Sequence, residues 1–125
     1  MAAPSDVTLS KLQQTVDDWI QSTGVRYFGE LTNLAQLMEE VGELSRLLSR
    51  TYGEQSFRSG TEPPDVPAAI ADEMADVLFV LVCLANQTGI DLTAAVAANL
   101  QKKSIRDATR HRNNPKLGDP KPGGG

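Results

Sequence analysis

Cysteine and histidine are almost missing from this sequence: its 125 residues hold one of each, Cys83 and His111. A lone thiol cannot close an intramolecular disulfide, and Cys83 sits in an apolar run with no nearby base to activate it, so it reads as a small buried hydrophobe. Aromatic residues are sparse too, with one Trp, two Tyr and three Phe, which leaves the core to Leu, Val and Ala. Long apolar stretches are absent. The longest, Val77 to Ala85, falls well short of the roughly 20 residues that cross a bilayer, and it follows directly on Asp76. The opening MAAPSDVTLSKLQQTVDDW lacks the basic start and apolar stretch of a secretory signal, so the expected setting is the reducing cytoplasm, without a membrane partner. A net charge of −4 also argues against a nucleic-acid partner.

What the chain does contain is helical periodicity. Apolar residues recur three and four apart, and no segment alternates with turn residues at hairpin spacing. A first helix is predicted from about Thr8 to Ser22, with Leu9, Leu12, Val16, Trp19 and Ile20 on one face. A second runs from about Thr32 to Tyr52, with Leu34, Leu37, Met38, Val41, Leu44 and Leu48 in register. After a long connection over Gly53 to Val66, a third runs from about Pro67, capped by Asp65, to Gln87, with Gly89 closing it. A fourth is capped by Asp91 and continues to about Arg112. The expectation is an all-α, four- to five-helix bundle over residues 1–112, followed by a flexible Pro/Gly-rich tail over 113–125. Between Met74 and Ala85 the third helix is apolar nearly all round, more than three neighbours in so short a chain can cover, which predicts completion by oligomerisation as a homodimer or homotetramer.

Carboxylates crowd the two central helices. The second carries Glu39, Glu40 and Glu43 in LMEEVGEL, and the third carries Asp72, Glu73 and Asp76 in ADEMADVL. Residues three apart leave a helix on the same side, so Glu40 pairs with Glu43 and Glu73 with Asp76. At about 100° per residue, Glu73 and Asp76 fall in line with Val80 and Cys83 and point towards protein. Carboxylates removed from water take up protons unless a cation joins them, and hard oxygen ligands suit Mg²⁺, with Mn²⁺ also possible. A di-iron bundle would need a Glu-x-x-His pair on each of two helices, which one histidine cannot supply. Farther on, Asn99, Lys103, Arg106 and Arg110 recur at helical spacing, with Lys102 at their edge; Lys102, Lys103 and Arg106 are candidates for contacting substrate phosphates. His111 has no partner fixed by the sequence and receives no role. Trp19, Tyr27 and Phe28 could stack on a nucleobase, although aromatics at helical spacing more often pack in the core.

These residues carry a family signature. Glu39-Glu40-Val41-Gly42-Glu43 on one helix and Glu73-Met74-Ala75-Asp76 on the next, with YFGELTNLAQLMEEVGEL, DEMADVLFVLVCLANQTGIDL and KKSIRD around them, resemble the MazG-like branch of the all-α nucleoside triphosphate pyrophosphohydrolases, over roughly Trp19 to Arg112. The resemblance implies a Mg²⁺-dependent cut between the α- and β-phosphates of a nucleoside triphosphate, giving nucleoside monophosphate and pyrophosphate. It implies Glu40, Glu43, Glu73 and Asp76 as metal ligands, Glu39 as a further ligand or the group orienting water, and Lys102 and Arg106 on phosphate. Ser104 stands where related sequences often have Asn. The alternatives are a specialised superfamily member acting on dUTP, dCTP or phosphoribosyl-ATP, and a non-catalytic helical module that binds a nucleotide or a protein.

Overall fold

The computed structural model describes residues 6–118. Four α-helices and a short 3-10 turn make up its regular structure, with no strand among the described residues: α1 (Leu9–Ser22), α2 (Glu30–Tyr52), α3 (Val66–Gln87) and α4 (Leu92–Asp107), then Pro115–Leu117. Among the described residues no helix is long and apolar enough to cross a membrane. The chain divides into two compact units, the first ending at Asp91 and the second beginning at Leu92.

Local chemistry sets the helix ends in the first unit. Thr8 caps α1 by accepting the Lys11 amide at 3.0 Å, and Asp65 caps α3 by accepting the Ala68 amide at 3.1 Å, with Pro67 in the first turn where its missing N–H costs nothing. Gly89 closes α3 in the left-handed region at φ 70°, which lets the Ile90 amide reach back to the Ala85 carbonyl at 2.9 Å. Helix α2 begins at Glu30, two residues before the Thr32 expected from sequence, because extended Gly29 precedes it and an acidic side chain suits a helix N-terminus.

The core lies where α3 packs against α1 and α2. Val16 and Ile20 of α1, Leu47 of α2, and Ile70, Val82, Cys83 and Ala85 of α3 are buried, and Trp19 meets Phe79 edge to face at 5.7 Å. The inward stripe of α2 differs from the expected one. It runs through Asn33, Leu37, Glu40, Leu44 and Leu47, while Leu34, Met38 and Val41 are exposed. Leu37, Leu44 and Leu48 face inward as expected, but tertiary packing has rolled the helix by less than one residue step, so that Asn33, Glu40 and Leu47 take the inward places of Leu34, Met38 and Val41. A second apolar stripe, Leu31, Leu34, Met38 and Val41, is thereby left open, and Met74, Leu78 and Leu81 form a comparable open stripe on α3.

In the second unit α4 buries no residue, and Val96, Leu100 and Ile105 are exposed on it. The helix ends at Asp107, short of the expected Arg112. The chain continues as hydrogen-bonded turns to Asn114, whose position before Pro115 disfavours helix, and Asn114 caps the 3-10 turn by accepting the Lys116 amide at 3.0 Å. Part of the expected tail is thus an ordered turn, and residues 119–125 lie outside the described residues.

Candidate metal centre and adjoining cavity

Helices α2 and α3 run side by side with their acidic stretches facing. Glu40, Glu73 and Asp76 each bring one carboxylate oxygen to within 4.8 Å of the others, and all three residues are half-buried. Burial, a hydrogen bond with Glu40 and the charges of Glu40, Asp76 and Glu43 push the Glu73 carboxyl up from its ordinary value of 4.5 to about 7. Burial raises Asp76 as well, helped by Glu40 and Asp72. The Glu73 Oε2 atom is buried and accepts no hydrogen bond. A desolvated carboxylate oxygen without a donor is costly, and three acids so close repel one another. A divalent cation resolves both costs, so this donor set fits Mg²⁺ or Mn²⁺.

The remaining predicted residues stand at different distances from this centre. Glu43 is exposed and lies 3.6 Å from Arg46 on its own helix, yet its charge is near enough to raise Glu73. Glu39 is exposed on α2 next to Glu40. Lys102, Lys103 and Arg106 belong to the second unit, where all three are exposed. There the Arg106 guanidinium grips Asp107 through two hydrogen bonds, at 3.1 and 2.8 Å, and Arg110 and His111 approach the same carboxylate at 3.5 and 4.0 Å.

A cavity of about 310 Å³ adjoins the acids, with Glu40 and Asp76 in its lining. Its other walls hold Trp19, Tyr27, Phe28 and Phe79, together with Asn33, Arg26, Val80 and Cys83. An apolar, aromatic space of this size beside a few polar groups is the usual form of a small-molecule site. Cys83 is buried as expected, and burial pushes its thiol up, away from a reactive thiolate. Sequence reasoning passed over Asn33, Arg26 and Phe79. Asn33 left a signal: it lies seven residues before Glu40, two turns along the same face, so two polar groups share the stripe that a core helix would fill with apolar ones.

Comparisons with known proteins converge on one family. The MazG nucleotide pyrophosphohydrolase domain matches residues 28–111. The uncharacterized protein YpjD of Bacillus subtilis (strain 168) is 40% identical over 106 residues, which span 85% of this chain and 92% of that protein. A crystal structure of YPJD from Bacillus subtilis superposes with a TM-score of 0.68 at 38% identity, covering 83% of this chain and 100% of the other. The Bacillus-conserved MazG protein, described as a nucleotide pyrophosphohydrolase, superposes with a TM-score of 0.64 at 34% identity, over 79% of this chain and 92% of its own.

Proposed function

The chain belongs to the MazG nucleotide pyrophosphohydrolase family and is a hydrolase acting on nucleotides, and from that premise we propose that it cuts the α–β phosphoanhydride bond of nucleoside triphosphates with Mg²⁺ as its cation and Mn²⁺ as a substitute. The observation that carries this reading is the convergence of Glu40, Glu73 and Asp76 within 4.8 Å beside an aromatic cavity. Glu43 joins these three as a ligand by giving up its 3.6 Å contact with Arg46. When bound, the cation supplies Lewis acidity to the phosphate oxygens and charge for the leaving group.

The chain's own residues do the rest. Glu39, exposed and free of the acidic triplet, orients a water and takes its proton as the water oxygen attacks the α-phosphorus. The bond from the α-phosphorus to the bridging oxygen breaks, and pyrophosphate departs with that oxygen. Lys102, Lys103 and Arg106 offset the charge of the phosphates. Trp19, Tyr27, Phe28 and Phe79 receive the base, a π-face suited to aromatic neighbours. Residues 1–112 act as one functional domain, since the family match spans the boundary between the two compact units. The open stripes on α2 and α3 support assembly of two or four copies, which would remove Met38 and Leu78 from water. The proposed setting is the cytoplasm.

Product identity tests the reaction. Purified protein incubated with each common nucleoside triphosphate and Mg²⁺ should release monophosphate and pyrophosphate. Diphosphate with orthophosphate would refute the cleavage position. Preference for dUTP, dCTP or phosphoribosyl-ATP in the same panel would identify a specialised member of the superfamily.

A further inference from the structure

Three walls of the cavity are helical and the fourth is a loop. Trp19, Glu40 and Phe79 come from α1, α2 and α3, whereas the remaining wall is the connection from Gly24 to Phe28. A helical wall is held by its own ladder of backbone hydrogen bonds. This connection has no such ladder, and Val25 within it sits at φ 73°, a left-handed conformation that strains a β-branched residue. The Arg26 amide closes a tight local turn by donating to the Gly24 carbonyl at 2.9 Å, and the placement of the Tyr27–Phe28 end is set by its neighbours.

The last turn of α3 imposes it. Asn86 Nδ2 donates to Tyr27 Oη at 3.0 Å, and Tyr27 Oη donates in turn to Asp17 Oδ1 of α1 at 2.7 Å. Gln13 Nε2 donates to Asn86 Oδ1 at 3.0 Å and orients that amide. One residue farther on, Gln87 Nε2 donates to the Phe28 carbonyl at 2.5 Å, while Asn33 Nδ2 donates to Gln87 Oε1 at 2.8 Å. The Tyr27 side chain and the Phe28 backbone are therefore anchored to all three helices. Burial and the bond to Asp17 push the Tyr27 hydroxyl up to about 12, so it remains a donor throughout the neutral range. Asp17, Asn86 and Gln87 themselves lie outside the cavity lining.

We infer that Asp17, Asn86 and Gln87 are positioning residues of this enzyme: through Tyr27 and Phe28 they set the one non-helical wall against which the nucleoside end of the substrate packs. The inference rests on reading the cavity as the nucleotide pocket. Loss of an anchor leaves the acidic centre in place and loosens the wall, so the effect falls on KM.

The test compares Asp17→Ala, Gln87→Ala and Asp17→Asn with the wild type, below their melting temperatures, on the triphosphate that the wild type turns over fastest with Mg²⁺. Each alanine variant should raise KM about tenfold with kcat within about twofold, and Asp17→Asn, which keeps an oxygen to accept from Tyr27, should restore KM. Unchanged KM with only a lower Tm assigns the network to stability and overturns the inference, as does a fall in kcat at constant KM. A second readout needs no substrate. Trp19 is the only tryptophan and lines the same cavity, so acrylamide quenching of its emission should rise in both alanine variants. Unchanged quenching overturns the inference too. If the wild type hydrolyses no triphosphate, the proposed reaction fails, and the quenching series still decides whether these residues set the wall.

Discussion

Glu73 and Asp107 are both half-buried carboxylates on helices, and their surroundings are opposite. Glu73 faces Glu40, Asp76 and Glu43, with one oxygen buried and unpartnered, and its carboxyl is pushed up to about 7. Asp107 is ringed by Arg106, Arg110 and His111, and the hydrogen bond from Arg106 above all holds its carboxyl below the usual range. One acid already has its cations and the other lacks them. An arrangement with unmet demand for positive charge is a place to look for a ligand, whereas one whose charges are already matched is a place to look for structure.

The largest expected effect comes from removing the unmet demand. Glu73→Gln or Asp76→Asn should lower Mg²⁺-dependent turnover by more than the roughly 10- to 100-fold that loss of an outer-shell partner costs at metal sites. The metal-free Glu73→Gln protein should nevertheless melt no lower than the wild type at pH 8, because a repelled carboxylate has been replaced by a neutral amide. Loss of activity together with a large fall in Tm would instead mark Glu73 as a structural residue.

The pH dependence sharpens the same contrast. Glu73 titrates near 7 when folded against 4.5 ordinarily, so between those values the folded state binds more protons than the unfolded one. Its contribution to stability is therefore lost as pH rises through that window. In the presence of EDTA, wild-type Tm should fall relative to Glu73→Gln between about pH 4.5 and 7, and Mg²⁺ should raise wild-type Tm at pH 8 but not at pH 5. Asp107 has the opposite sign: its contribution is present above its unfolded value of 3.8 and fades as pH falls below it. Fluorescence-monitored melting of the wild type, Glu73→Gln and Asp107→Asn across pH 3 to 8 separates these slopes.

Intermediate effects test the cations. Arg106→Ala should raise KM about three- to tenfold and weaken its dependence on salt, and Lys103→Ala should behave alike. Steady-state kinetics at two ionic strengths would show this, and salt-independent KM in both variants would remove them from phosphate binding. The smallest effect is expected from Asp107→Asn. An ion-pair cluster whose cations are all exposed contributes little, so kcat should stay within about twofold and Tm should shift slightly.

Much of the molecule was legible in order and spacing. Thr8, Asp65, Pro67 and Gly89 mark helix ends through interactions within a few residues of themselves, and those ends lie within two residues of where they were expected. The paired acids could be read for the same reason, since three-residue spacing on a helix fixes which side chains share a side. The rotation of α2 was not legible. Leu37, Leu44 and Leu48 face inward as expected, but Leu34, Met38 and Val41 are as apolar as the buried Leu47, and only packing against α3 chooses which of these edges turns inward. Nor could spacing reveal the cavity wall, because Asp17, Tyr27 and Asn86 are far apart along the chain and meet through side-chain hydrogen bonds.

The sequence by itself determined four helices, the Asp65 and Gly89 ends of α3 and a set of paired carboxylates on each of two helices, because those follow from backbone propensity and helical period. Tertiary structure alone decided that Glu40 meets Glu73 and Asp76 while Glu43 turns to Arg46, and that α3's last turn clamps the loop at Tyr27 and Phe28. Such choices depend on distances between segments remote in sequence, set by how one helix rolls against another, and no local rule encodes that angle.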